Sequence, residues 1–485
     1  MTTFLSIMTK RPSEPGPRWT DTYRVANHGG IIRAALTIGA LTLICQLVAM
    51  AKELWVAAWF GTSDALDAFL MAIVIPTFVI NVVAGSFQSA LIPAYIRVRE
   101  QEDPEAARRL FSNVMGYGFI LLLLMGVLVA SGSSLLLPIL ASGYTPEKIA
   151  LTQTLLYWLL PVIVLQGTVV IWSAVLNAHH RFALAAIAPV LSPAAIIVAL
   201  VTVGSHWMVF SLMVGTLAGV TGQVIMLGWG LKKQALSLRL HWDRGDRRVR
   251  AVMGQYSHVV VGAVFMSATT LIDQAMSAML APGSVAVLNY GSRVVTVGLG
   301  LAATSIATAA FPYFSKQAVE KEGMLLWKTL CFYIRWIFII AVPLSILTFA
   351  FSESIVRLLF ERGAFLPKDT QQVSHVQALL VWQAPFYIGG VLLARVVSSL
   401  QANHVLMWIA GLSLLVKVTL NYFLMGWIGV AGIALSTSLV FLGSFILLYL
   451  YTRVGLIRLS GGTTKPTNQD EISSCMLSAN GQRHG

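Results

Sequence analysis

Residues 51–98 read AKELWVAAWFGTSDALDAFLMAIVIPTFVINVVAGSFQSALIPAYIRV, and this stretch decides the fold class. After the polar turn Gly61-Thr-Ser-Asp-Ala-Leu-Asp67 the chain carries no charge until Arg97. A helix needs ~20 apolar residues to cross ~30 Å of hydrocarbon, and this run is longer. A membrane β-barrel would show alternating segments of ~10 residues instead. The reading is therefore a membrane helix, entered from a short turn that joins it to an apolar segment before it.

Working outward, apolar stretches of similar length recur from Ile31 to Leu450. The chain is 57% hydrophobic and 11% charged, with a mean hydropathy of +0.76. Soluble domains run about 25% charged, so this one could not cover its surface with polar groups in water. Twelve spans are predicted near 31–51, 65–91, 110–135, 151–176, 183–203, 209–229, 252–279, 285–312, 328–350, 373–397, 405–423 and 429–451. The fold class is thus an all-α polytopic membrane protein. Pro76, Gly85, Pro161, Pro193, Pro312 and Pro343 fall inside spans, which membrane helices tolerate. Residues 1–30 hold Lys10, Arg11, Arg18 and Arg24 with no apolar core before Ile31, so they are not read as a cleavable signal. Cys45, Cys331 and Cys475 are scattered and suggest neither a disulfide framework nor a metal site.

The basic residues fix an expected orientation. With the N-terminus in the cytoplasm, 25 Lys and Arg fall on the inner side and 5 on the outer (Lys52, Lys148, Arg357, Arg362 and Lys368). Arg293, Arg395 and Lys417 lie within spans. That split is a positive-inside bias and places both termini in the cytoplasm. The surplus of +13 then reads as topology with affinity for anionic lipid, not as a nucleic-acid footprint. The segmentation is a tail (1–30), an N-lobe of six helices (31–230), a basic linker (231–250), a C-lobe of six helices (251–452) and a polar tail (453–485).

The halves echo each other. Gly61-Thr-Ser-Asp-Ala-Leu-Asp67 matches Gly283-Ser-Val-Ala-Val-Leu-Asn289 at an offset of 222. Ile92-Pro-Ala-Tyr95 resembles Phe311-Pro-Tyr-Phe314, and Leu176-Asn-Ala-His179 resembles Leu400-Gln-Ala-Asn403, at offsets of 219 and 224. Six helices intervene, an even number, so the repeat is parallel, as in transporters whose site lies between two bundles.

Polar groups at membrane depth are the candidate site residues, because a central charge costs ~2.5–3.5 kcal/mol on insertion scales. Arg293 lies ~12 Å into the eighth span by helical rise. Its guanidinium suits a diphosphate held bidentately, or else an ion pair with a carboxylate such as Asp273. Lys52 and Glu53 lie toward the outer end of the first span, at a cavity mouth or simply at the interface. Asp67 could cap its own helix or take part in Na⁺ or H⁺ coupling. Glu53 and Asp273 are the other acids considered for that role. Gln46 and Asn81 are mid-span amides that could bind sugar hydroxyls or join helices. Arg395 and Lys417 are read as snorkelling, and His179, His180 and His404 as residues of cytoplasmic turns in solvated or lipid-headgroup roles.

The stretch 51–98 resembles the first helical hairpin of MurJ/MviN-type lipid II flippases, in the superfamily that includes MATE exporters and polysaccharide flippases. The Gly61…Asp67-Ala-Phe turn, Pro76 and the Gly85-Ser-Phe…Ile-Pro93 exit carry the likeness. So do Leu176-Asn-Ala…Arg181-Phe182, Tyr290-Gly-Ser-Arg293 and Phe311-Pro-Tyr-Phe-Ser-Lys316. The resemblance implies a V-shaped pair of bundles, a central cavity and alternating access for a polyprenyl-diphosphate-linked saccharide in the bacterial inner membrane. Its pattern has arginine mid-way in the first helix and an Arg-Asp pair beyond, where this chain has Gln46 and Lys52-Glu53. An arginine pair of the second helix falls on Ile80-Asn81, an acid of the eighth on Thr296, and the family usually adds two C-terminal helices. An exopolysaccharide or O-antigen flippase, a MATE-like cation or drug antiporter and a non-transporting scaffold remain as alternatives. No GxxxxGK[ST], HExxH or GxSxG occurs, so no enzyme activity, cofactor or metal is expected.

Overall fold

A computed structural model describes residues 28–101, 103–179, 181–234, 247–319, 323–400 and 402–461. Most of the predicted N-terminal tail, most of the 231–250 linker, most of the C-terminal tail and His180 lie outside the described residues.

Every regular element among them is helical. Six long helices form the first half: α1 (His28–Phe60), α2 (Asp64–Gln101), α3 (Pro104–Leu140), α4 (Pro146–Ala178), a broken fifth made of α5 (Phe182–Ile187) and α6 (Leu191–Trp207), and α7 (Val209–Lys233). The second half runs α8 (Arg247–Ala278), α9 (Ser284–Val319), α10 (Gly323–Ala350), α11 (Ser352–Phe360), α12 (Pro367–Leu380), α13 (Gln383–Ser399), α14 (Asn403–Ile428) and α15 (Val430–Gly461). Eleven helices are long and apolar enough to cross a membrane, and α12 with α13 makes a twelfth candidate bent by 40°. The twelve spans expected from sequence are these, although most are longer than the apolar windows that revealed them.

Two breaks have local causes. Pro189 and Pro193 cannot donate the i→i−4 bond, and the fifth helix passes through a 3₁₀ turn at Ala188–Val190. Pro385 likewise withholds its N–H from the Val381 carbonyl, where α12 ends and α13 begins. α11 is a short amphipathic helix lying between the predicted spans 328–350 and 373–397.

The repeat is visible in the backbone. Gly61 and Gly283, one offset apart, both have positive φ, +53° and +87°. Met208 (φ 45°, ψ −119°) between α6 and α7 is matched by Gly429 (φ 60°, ψ −138°) between α14 and α15, at an offset of 221. Met208 alone among the described non-glycine residues adopts positive φ; the turn demands that geometry in both halves, and only the second half has the residue that suits it.

Apolar side chains cover much of the outside. Trp408, Trp427 and Leu358 are more than two-thirds exposed, which water would penalise and hydrocarbon or its interface would not. Inside, α2 is the central strut, packing on α4 within its half and on α8 across the seam. Its buried face includes Leu66, Met71, Phe87 and Leu91.

Candidate functional site

The site lies on the seam between the halves, where α1 faces α9. Gln46 and Lys52 of α1, with Thr42 and Cys45, form one wall of a cavity of about 470 Å³; Pro189, Ser192 and Pro193 of the broken fifth helix form another, and Arg293 of α9 completes it. Three of the expected binding residues thus meet in one place. Asn81 does not join them: it is exposed on α2, on the side that also bears Thr77.

Glu53 is nearly fully buried, at 4% exposure. Its Oε1 lies 2.6 Å from Lys52 Nζ and 3.6 Å from Arg293 Nε. The carboxylate partner of Arg293 is therefore Glu53, in the other half, and not Asp273. At 3.6 Å the contact is ionic, and Arg293 Nε makes no hydrogen bond. Two cations against one carboxylate leave the cavity one net positive charge, and the guanidinium, with a side chain 31% exposed, still has donors to offer. Such a cavity attracts anions and disfavours cations.

One end of the seam is sealed by backbone contacts. Asp67, 1% exposed, accepts hydrogen bonds from the Gly283 and Ala286 amides at 2.8 Å each. It caps a helix, but that helix is α9 of the opposite half and not its own α2. An anion at a helix N-terminus satisfies orphan donors and meets the positive end of the dipole. Lys148 neutralises it at 2.9 Å and also reaches Asp64 at 2.5 Å. Tyr144 donates to the Asp67 carbonyl at 3.3 Å, and burial together with the neighbouring carboxylates pushes its phenol far above the ordinary value, so it stays a neutral donor.

Further contacts run along the same end. Thr62 donates to Asp369 at 2.6 Å, whose other oxygen accepts from the Leu366 amide at 2.8 Å. The Ala364 amide donates to the Ala58 carbonyl at 2.8 Å. Glycine is required by this approach: a Cβ on Gly283 would sit 2.5 Å from the Thr62 carbonyl oxygen, and one on Gly61 would sit 2.4 Å from that of Ala364.

Asp273 stands apart from the cavity, paired with Lys417 at 2.8 Å and Asn421 at 2.9 Å inside the second half. Lys417 is 4% exposed, so it does not snorkel; a carboxylate on the adjacent helix holds it inside. Arg395 is exposed. His179 bonds to Tyr95 at 3.2 Å and to the Val175 carbonyl at 3.0 Å, and is thus packed rather than solvated. His404 is exposed. Among the described residues no cluster of His, Cys, Asp and Glu could hold a metal.

The sequence reading missed the roles of Lys148, Tyr144, Thr62 and Asp369. Only Asp369 carried a local signal, as the third residue after Leu366 with Pro367 between, the pattern of a helix start. The others act through contacts between turns far apart in the chain.

A family model for the lipid II flippase MurJ matches residues 56–469. The chain belongs to the MurJ family. Among relatives, the lipid II flippase MurJ of Burkholderia cenocepacia is 28% identical over 441 residues, covering 87% of this chain and 84% of its own. The probable lipid II flippase MurJ of Buchnera aphidicola from Acyrthosiphon pisum is 25% identical over 429 residues, covering 86% and 83%. Of solved structures, lipid II flippase MurJ in an inward closed conformation aligns with a TM-score of 0.75 at 21% identity, over 88% of this chain and 90% of that one. An inward-facing MATE-family multidrug resistance transporter aligns with a TM-score of 0.73 at 15% identity, over 89% and 100%. The MurJ-family fold is thus shared with MATE transporters.

Proposed function

We propose that this MurJ-family protein is a flippase that carries a polyprenyl-diphosphate-linked saccharide, lipid II or a close relative, across the bacterial inner membrane by alternating access. The observation that carries the reading is the placement of Arg293 and Lys52 in one seam cavity of net positive charge. A guanidinium and an ammonium there can hold the two phosphates while Gln46 meets sugar hydroxyls. Glu53 keeps both cations positioned when the cavity is empty and releases them to the phosphates on binding.

The positive-inside bias supports cytoplasmic termini. With that orientation, the end sealed by Asp67, Thr62 and Ala364 faces outward, and the cavity loads from inside. Release outside then requires those contacts to part and the inner end to close. The cation-repelling cavity favours this reading over a drug antiporter on the same fold.

Complementation tests it. The wild-type chain is expected to restore growth to a strain depleted of its lipid II flippase, and Arg293→Ala with Lys52→Ala, expressed to the same level, is expected to fail. Full rescue by the double variant would overturn the assignment of the site. No rescue by the wild type, alongside rescue of a polysaccharide-export mutant, would move the cargo to another lipid-linked saccharide.

A further inference from the structure

The second half holds a buried ionic cluster that the cavity does not use. Lys417 of α14 donates to Asp273 Oδ2 of α8 at 2.8 Å and to Thr437 Oγ1 of α15 at 2.9 Å. Asn421, one turn on from Lys417, donates to Asp273 Oδ1 at 2.9 Å and accepts from Ser436. The Ser436 and Thr437 hydroxyls both converge on the Ile433 carbonyl at 2.9 Å. A single ammonium therefore sits among a carboxylate and a hydroxyl, with an amide and a backbone carbonyl just beyond, contributed by three helices.

The repeat shows that the fold does not need this cluster. At the offset of 221 set by Met208 and Gly429, the counterparts of Lys417 and Asn421 are Ile196 and Leu200, buried at 8% and 0%. The counterparts of Ser436 and Thr437 are Gly215 and Thr216, and a Cβ on Gly215 would sit 2.5 Å from Ile196 Cα. At these positions the first half packs α6 on α7 through Ile196, Leu200 and Gly215, with no charged side chain between the two helices. A buried ion pair seldom adds stability over such packing, so its presence points to a role beyond holding helices together.

Without the lysine side chain, one uncompensated carboxylate would stand in a hole lined by oxygens. Hard monovalent cations are held by carboxylate, hydroxyl and carbonyl oxygens of this kind. We propose that Lys417 is a tethered cation filling a monovalent-cation site of the second half, so that Asp273 is satisfied from within the chain and takes up neither Na⁺ nor a coupling proton during the cycle. The site's ligand class is an alkali cation or a small alkylammonium, admitted only when the lysine is absent. This inference does not depend on the cargo, because its test contains none.

The test is thermal unfolding of the purified full chain in NaCl and in choline chloride of equal ionic strength. The wild type is expected to melt at the same temperature in both. Lys417→Ala is expected to melt lower in choline and to recover on the order of 3 °C in NaCl or with added methylammonium. Lys417→Ala combined with Asp273→Asn, which removes both charges, is expected to melt above the single variant in choline and to ignore the cation. Stabilisation of the wild type by Na⁺ that Asp273→Asn abolishes would overturn the proposal. So would a folded Lys417→Ala protein indifferent to both cations. Should that variant fail to fold, the wild-type comparison and the double variant still decide.

Discussion

Replacing Asp67 by Asn is the sharpest perturbation of the seam, because the side chain keeps its shape and loses its charge. The carboxylate now serves three donors: the Gly283 and Ala286 amides at 2.8 Å and Lys148 at 2.9 Å. The two amides bond different carboxylate oxygens, Gly283 to Oδ2 and Ala286 to Oδ1, so with Asn in place one of them faces an NH₂. Hydrogen bonds to charged groups are worth ~1.5–3 kcal/mol each, and breaking a buried ion pair costs ~3–5 kcal/mol. Lys148 keeps Asp64 at 2.5 Å, which offsets part of the loss, so a net cost of about 3 kcal/mol is expected. Gly283 and Ala286 belong to one half and Asp67 to the other, so this energy stabilises only the state in which this end is closed. A cost of about 3 kcal/mol shifts the open-to-closed ratio by roughly a hundredfold. Hydrogen exchange followed by mass spectrometry reads the change directly. A peptide covering 279–290 should exchange at least about tenfold faster in Asp67→Asn, while one within α10 should not change. Equal exchange at 279–290 in the two proteins would refute the argument that Asp67 holds the halves together through the α9 N-terminus.

Glu53→Gln removes the carboxylate between Lys52 and Arg293; binding of a diphosphate lipid, followed by native mass spectrometry, is expected to tighten by about tenfold while turnover falls, because the cations lose the partner that displaces the phosphates. Met208→Gly relieves a side chain held at positive φ and should raise stability by about 1 kcal/mol, whereas Gly429→Ala at the matching turn should lower it by a similar amount, both read as melting temperature. Gly283→Ala adds a Cβ against the Thr62 carbonyl at a φ of +87°, so crosslinking between cysteines placed across this end should drop by more than half even where expression is normal.

How much of this the sequence revealed follows from what is local. Spans were legible because a bilayer imposes length and apolarity on each helix separately. The repeat was legible at Gly61 and Gly283 because a left-handed turn constrains one residue type. Arg293, Lys52 and Gln46 were legible as candidates because charge and amide groups at membrane depth are costly. Their grouping was not, since it depends on α1 meeting α9 across more than two hundred residues. Asp273 was named as an example of an ion-pair partner for Arg293, and Glu53 was not, for the same reason: Glu53 is near it only after the halves dock. Lys417 was read as snorkelling because its distance from a helix end is a one-dimensional quantity, while the carboxylate that buries it comes from another helix. Asp67 was read as a cap for α2, by proximity in sequence, or as an ion-coupling acid, and the donors it serves lie in the turn one repeat later.

The central claim is that Arg293 and Lys52 hold the diphosphate of a lipid-linked saccharide in the seam. Translocation of fluorescent lipid II in proteoliposomes containing the purified chain measures it. The wild type should move the lipid, and Arg293→Ala with Lys52→Ala should slow that movement by at least about thirtyfold, the loss of roughly 2 kcal/mol of charge-assisted bonding. Translocation at the wild-type rate by a folded double variant would contradict the account.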